Sequence, residues 1–123
     1  MGFEKFTLVG KSFAPKVSIW SRGQIGFNNG AVSRYKLDEF SHIVFFFDKE
    51  LNKIGLKFTN DGGEEGAVKL NKRATGISAG MKSFLDYHNM DYTETTQYDL
   101  EFDEEEGLYV VDLNKRKPTK KDK

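Results

Sequence analysis

The chain predicts a mainly β (α+β) fold: a small barrel-like domain made of two β-α-β-β units, each with one short helix. Three observations lead there. Apolar residues alternate with polar ones over several short runs, the period of a half-buried strand. Glycine and asparagine clusters separate those runs. Eleven phenylalanines among 123 residues supply bulky core side chains, enough for one hydrophobic core in one domain.

The elements follow in order. Lys5 to Val9 places Phe6 and Leu8 on one side and reads as a strand. After Pro15, Val17 to Trp20 alternates again. Trp20 has the opposite parity to Val17 and Ile19, which aims it at the other face. Ser21-Arg22-Gly23 turns the chain into a second strand, with Ile25 and Phe27 on one face, so the pair forms a hairpin. Asn28 or Asn29 can cap a helix of about two turns that carries Ala31, Val32, Tyr35 and Leu37. Ile43 to Phe47 is a continuous apolar run, expected to be a strand buried on both faces. Ile54, Leu56 and Phe58 mark the next strand. Asn60 to Gly63 is a turn, Gly66 to Leu70 a short strand, and Asn71 to Gly76 a polar link. Ile77 to Ala79 is a further strand. Met81, Phe84, Leu85 and His88 fit a second short helix. Tyr98, Leu100 and Phe102 alternate with acidic residues, and Leu108 to Leu113 is the last strand. Residues 1–113 form the domain; the tail 114–123 has no apolar residue and is expected to be disordered.

The order strand, helix, strand, turn, strand occurs twice, over about 17–58 and 74–113. At an offset of 55, Ile43–Asp48 lies on Tyr98–Asp103, and Ile54, Leu56 and Phe58 lie on Tyr109, Val111 and Leu113. At an offset of 53, Leu37-Asp38 lies on Met90-Asp91. One such unit leaves an apolar sheet face bare, and a second covers it. If the repeat is real the chain is a monomer; otherwise it is a homodimer.

Residues 17–58 also carry a family pattern. Arg22-Gly23-Gln24-Ile25 opens a strand, Tyr35-Lys36-Leu37 ends a helix, and Ile54-Gly55-Leu56-Lys57 closes. This resembles the AbrB/MazE family of swapped-hairpin DNA-binding domains, over about a third of the chain. The pattern departs in two places: Asn28 stands where the family has Pro, and Glu39–His42 where it has a Gly-Asp turn. The resemblance implies dimerisation through this unit, with a second copy at 74–113 able to replace the partner. It also implies DNA contacts from basic residues near the first hairpin. Arg22 is the best match; Lys16 and Arg34 are neighbouring basic positions.

Composition narrows the function. With no cysteine, the chain has neither a disulfide framework nor a thiolate metal site. No run approaches the roughly 20 apolar residues of a membrane helix, and the start lacks a signal-peptide core, so a cytoplasmic protein with no membrane partner is expected. Neither histidine, His42 or His88, stands in a catalytic or metal-ligand spacing. Asp103–Glu106 lacks the spaced oxygens of a calcium loop and reads as a hairpin turn. No Walker-type phosphate loop occurs. The expectation is a non-enzyme without metal or cofactor.

Net charge is zero but unevenly laid out. Residues 1–58 carry nine Lys/Arg against five Asp/Glu (+4), residues 59–113 four against thirteen (−9), and the tail six against one (+5). Lys115, Arg116 and Lys117 lead that tail and can neutralise phosphates by counterion release. They can equally screen the acidic second half. A nucleic-acid-binding regulatory domain, with DNA as partner, is the leading reading. The alternative is an antitoxin- or inhibitor-like interaction module whose acidic half takes a basic protein. A third is a single-strand binder that stacks bases on Trp20, Tyr87 or Tyr92.

Overall fold

The strand periodicity of the sequence becomes two antiparallel sheets in a computed structural model that describes residues 2, 3, 5, 14–115, 117 and 118. The chain order is β1 (Lys16–Trp20), β2 (Gln24–Phe27), α1 (Asn29–Tyr35), β3 (His42–Asp48), β4 (Lys53–Thr59), β5 (Val68–Lys69), β6 (Asn71–Arg73), β7 (Gly76–Gly80), α2 (Lys82–Tyr87), β8 (Thr96–Asp99), β9 (Glu101–Asp103), β10 (Leu108–Asp112) and β11 (Lys117–Pro118). The first sheet runs β11-β8-β1-β2-β7-β6 and the second β5-β3-β4-β10-β9. Their inner faces share one core, with Val17, Ile25, Phe27 and Ile77 from the first and Ile43, Ile54, Leu56 and Val111 from the second. Phe27 meets Phe58 edge-on at 5.4 Å across that core.

The fold is mainly β, as expected. Among the described residues the strands form two open sheets and not the closed ring of a barrel. Several expectations change. The expected strand at 5–9 lies, apart from Lys5, outside the described residues. The stretch 71–76 is not merely a link: Asn71–Arg73 pairs with β7, with Asn71 opposite Ser78. An edge strand needs only backbone partners, so it carries no apolar signature. The run Ile43–Phe47 is not buried on both faces: Phe46 is 42% exposed on the outer side of the second sheet. The run at 98–102 is not one strand. It breaks at the buried Leu100, leaving β8 on the first sheet and β9 on the second. The tail is not free of structure throughout: Leu113–Lys115 forms a 3₁₀ turn and β11 lies beside β8, Lys117 opposite Gln97. Backbone pairing to an open strand edge is independent of side-chain hydrophobicity, which the disorder argument left out.

Local chemistry explains the helices. The Asn28 side chain accepts from the Ala31 N–H at 2.8 Å and from the Lys16 N–H at 3.1 Å, so one residue caps α1 and holds the start of β1. Lys36 then leaves α1 in the left-handed region (φ 54°), with its N–H on the Val32 carbonyl. In α2 the buried Met81 starts the helix without a side-chain cap. Phe84 anchors it on Phe45 at 5.4 Å.

The pairing between the sequence halves is symmetric. In the β2–β7 pair Ile25 faces Ala79 and Gly26 faces Ser78. Adding 53 to Ile25 gives Ser78 and to Gly26 gives Ala79, so the pair maps onto itself when the halves are exchanged. In the β4–β10 pair Gly55 faces Val110, its counterpart at an offset of 55. Positive φ recurs at the same offsets: Gly23 with Gly76, Lys36 with Asn89, and Asn52 with Gly107. Such conformations are costly for most residues, so their placement is a sharp marker of backbone course.

Candidate nucleic-acid interface

Alternation along the first sheet sends Val17, Ile19, Ile25, Phe27, Ile77 and Ala79 inward. Apart from Trp20, its outer face carries small and polar groups. Register sets Gln97, Ser18, Gly26, Ser78 and Asn71 in one row across five strands. Trp20, Gln24 and Gly80 form the neighbouring row. A shallow groove of about 560 Å³ lies on this face. Its thirteen lining residues include Arg22 at one end and Arg73 at the other, and no carboxylate. Nineteen acidic residues in the chain make that absence informative. The ends of the groove, near Gln24 and near Asn28, are four residues apart along β2, or about 13 Å.

Trp20 shapes the floor. Its ring lies across Gly26, and a Cβ at that position would collide with it, so glycine lets the indole lie down on the sheet. The Arg22 guanidinium stands 5.4 Å from the Trp20 ring centroid, a cation–π arrangement. Arg22 Nε also donates to Gln24 Oε1 at 3.1 Å.

The structure separates the expected basic residues. Arg22 lines the groove. Lys16 begins β1 and is ion-paired to Asp99, its cross-strand neighbour. Arg34 is exposed in the last turn of α1, outside the groove lining. Lys115 lines a separate small cleft together with Lys53, Asp99, Glu101 and Asp112. Lys117 contributes its backbone to β11, and Arg116 lies outside the described residues. Arg73, Asn71, Thr75 and Ser78 join the groove although no motif or periodicity marks them. Only the β2–β7 and β6–β7 pairings bring them to Trp20, and those are long-range features.

Other chemical groups are accounted for structurally. Ser41 Oγ lies 2.7 Å from His42 Nδ1, and the His42 ring packs beneath Gly62. His88 sits among Phe47, Phe84 and Tyr87, at 4.7 to 4.9 Å between ring centroids. The Asp103 carboxylate accepts the Glu105 and Glu106 N–H groups, closing the acidic hairpin turn. No cluster of metal-ligating side chains occurs among the described residues. Lys82, Asp86 and Tyr92 form an exposed network: the Tyr92 hydroxyl donates to Asp86 at 2.7 Å, and the Lys82 ammonium donates to both. That network holds the Asp86 carboxyl below its ordinary range, chiefly through the Tyr92 hydroxyl and then Lys82. Burial pushes the Tyr109 phenol up. Among the described residues no helix is long and apolar enough to cross a membrane. No protein-family model, curated protein or solved structure matches the chain.

Proposed function

We propose that this chain is a non-enzymatic nucleic-acid-binding module and that the outer face of its first sheet is the binding surface. The observation that carries this reading is the groove with an arginine at each end and no carboxylate in its lining. Guanidinium groups pair with phosphates bidentately and stay charged at any physiological pH. A carboxylate-free lining spares an incoming backbone from repulsion, even though the net charge is zero. The AbrB-like pattern at Arg22-Gly23-Gln24-Ile25 supports the same face, because it falls on the turn that delivers Arg22. We further propose that the halves are diverged copies of one swapped-hairpin unit. The self-mapping registers and the recurring positive-φ positions support this. The protein would then act as a monomer, and a regulatory, cytoplasmic role fits the reading.

Fluorescence anisotropy of labelled DNA, single- and double-stranded, tests the proposal at low and at physiological salt. Arg22→Ala and Arg73→Ala should each weaken binding several-fold and flatten the salt dependence by about one phosphate contact. Replacing Lys115, Arg116 and Lys117 with glutamine should matter less, since Lys115 lies outside the groove, in a cleft it shares with Asp99, Glu101 and Asp112. Binding that ignores both groove arginines and vanishes with the tail substitutions would reduce the activity to a basic arm.

One observation favours the alternative, a docking edge for a basic protein. β9 is the open edge of the second sheet and presents Glu101 beside Phe102, which is 45% exposed. Failure of all nucleic acids to bind would move attention to that edge.

A further inference from the structure

We infer that the groove takes single-stranded nucleic acid, laid across the sheet with one base stacked on Trp20; this rests on the nucleic-acid reading above and names its substrate. The five strands β8-β1-β2-β7-β6 that carry the groove face span four inter-strand spacings, or about 19 Å. The major groove of B-form DNA is about 12 Å wide and admits a helix or a two-stranded ribbon. A face this broad cannot enter it. A duplex could touch only the rim, where Arg22 and Arg73 reach phosphates, and the row of amides and hydroxyls between them would meet nothing. A single strand can lay its bases on that row.

Gln97, Ser18, Ser78 and Asn71 stand in register on the outer face and offer donors and acceptors to base edges. The indole lies flat over Gly26 in the middle of that row, because glycine has no Cβ to lift it, so the ring offers its outer surface level with the amides and hydroxyls.

Trp20 is half-buried: its ring lies against Gly26, and the Arg22 guanidinium stands 5.4 Å from the ring centroid. Arg22 sits in an exposed turn on a flexible side chain, so it can leave the ring. A base arriving on the indole replaces that cation–π contact with a stacking contact, and the released guanidinium is placed at the backbone phosphate of the same nucleotide. Arg22 thus covers the aromatic surface in the free state and binds phosphate in the complex.

Trp20 is the chain's single tryptophan, so its emission reports this event directly. The test titrates the full chain with a dT strand of about twelve nucleotides, within the span one small β domain covers. An rU strand and a mixed-sequence duplex of the same length are titrated alongside. The expected result is saturable quenching by dT or rU, with the duplex bound about tenfold more weakly and without quenching. Comparison of dT with rU shows whether the 2′-hydroxyl is favoured. Trp20→Leu should weaken single-strand binding about tenfold by anisotropy, and Trp20→Phe should restore most of it, because phenylalanine keeps a stacking face. Circular dichroism of both variants separates loss of stacking from loss of fold. A duplex bound as tightly as the single strands, or single-strand binding indifferent to Trp20→Leu, would overturn this inference while leaving nucleic-acid binding standing. Absence of binding to every probe would overturn both.

Discussion

Gly23 and Gly76 stand 53 residues apart, each ends a strand turn with positive φ, and each leans on the start of the other half's helix. A Cβ on Gly23 would press on Lys82 at 2.9 Å, and the Gly23 carbonyl accepts from the Met81 N–H. A Cβ on Gly76 would run into the Phe27 carbonyl oxygen. The side chains around these matched points differ. Trp20 corresponds to Arg73, Arg22 to Thr75, and a mildly basic half to a strongly acidic one. Backbone crossings leave no room for alternatives, so they stay alike; the outer surface is unconstrained by packing and is free to specialise.

The comparison can be pressed at matched positions. Leu37 and Met90 correspond, but Leu37 is fully buried and Met90 lines an open cleft. Leu37→Ala should cost about 3–5 kcal/mol and Met90→Ala about half as much, read by urea denaturation. Equal costs would mean the halves are packed alike. Gly76→Ala should cost about 3 kcal/mol, because the new methyl meets a backbone carbonyl that cannot swing away. Gly23→Ala should cost about 2–3 kcal/mol, because its φ of 84° disfavours a side chain and the new methyl presses on the Cβ and Cα of Lys82, which α2 holds in place. Gly80→Ala, with open space, should change stability by about 0.5 kcal/mol or less. Asn28→Ala should cost about 1–2 kcal/mol by unmaking the α1 cap; α2, which has no side-chain cap, offers no equivalent loss.

The smallest effect is electrostatic. Asp86 is held below its ordinary range in the folded protein, so its contribution is present above the unfolded carboxyl pKa and is lost as pH falls through the folded one. The denaturation midpoints of the wild type and Asp86→Asn should differ slightly at neutral pH and converge in strong acid. A gap that persists in acid would assign the role of Asp86 to packing. The Lys82 ammonium is raised by the same partners, so its share is present at neutral pH and fades as pH rises through the raised value.

Strict alternation made β1, β2 and β4 legible in the sequence, because half-buried strands must alternate. Asn28 was legible as a cap for the same local reason. Three features were not. β6 is polar throughout and exists through its backbone pairing with β7. The break at Leu100 is set by which sheet each flanking segment can reach. Half of the groove was also hidden: Arg22 is singled out by the AbrB-like pattern and Trp20 by its strand parity, whereas Arg73 reaches them only through pairings across about fifty residues of chain.

The same interleaving has a consequence in time. β1 is flanked by β2 and β8, and β4 by β3 and β10, so the first half borrows a strand for each of its sheets from the second. A ribosome adding about 5–20 residues per second needs roughly 3–10 s to make the missing half. For that interval the edges of β1, β2 and β4 stand open, and each can pair with a strand of another copy. Neighbouring nascent chains on one message are therefore the competitors against which the second half must arrive.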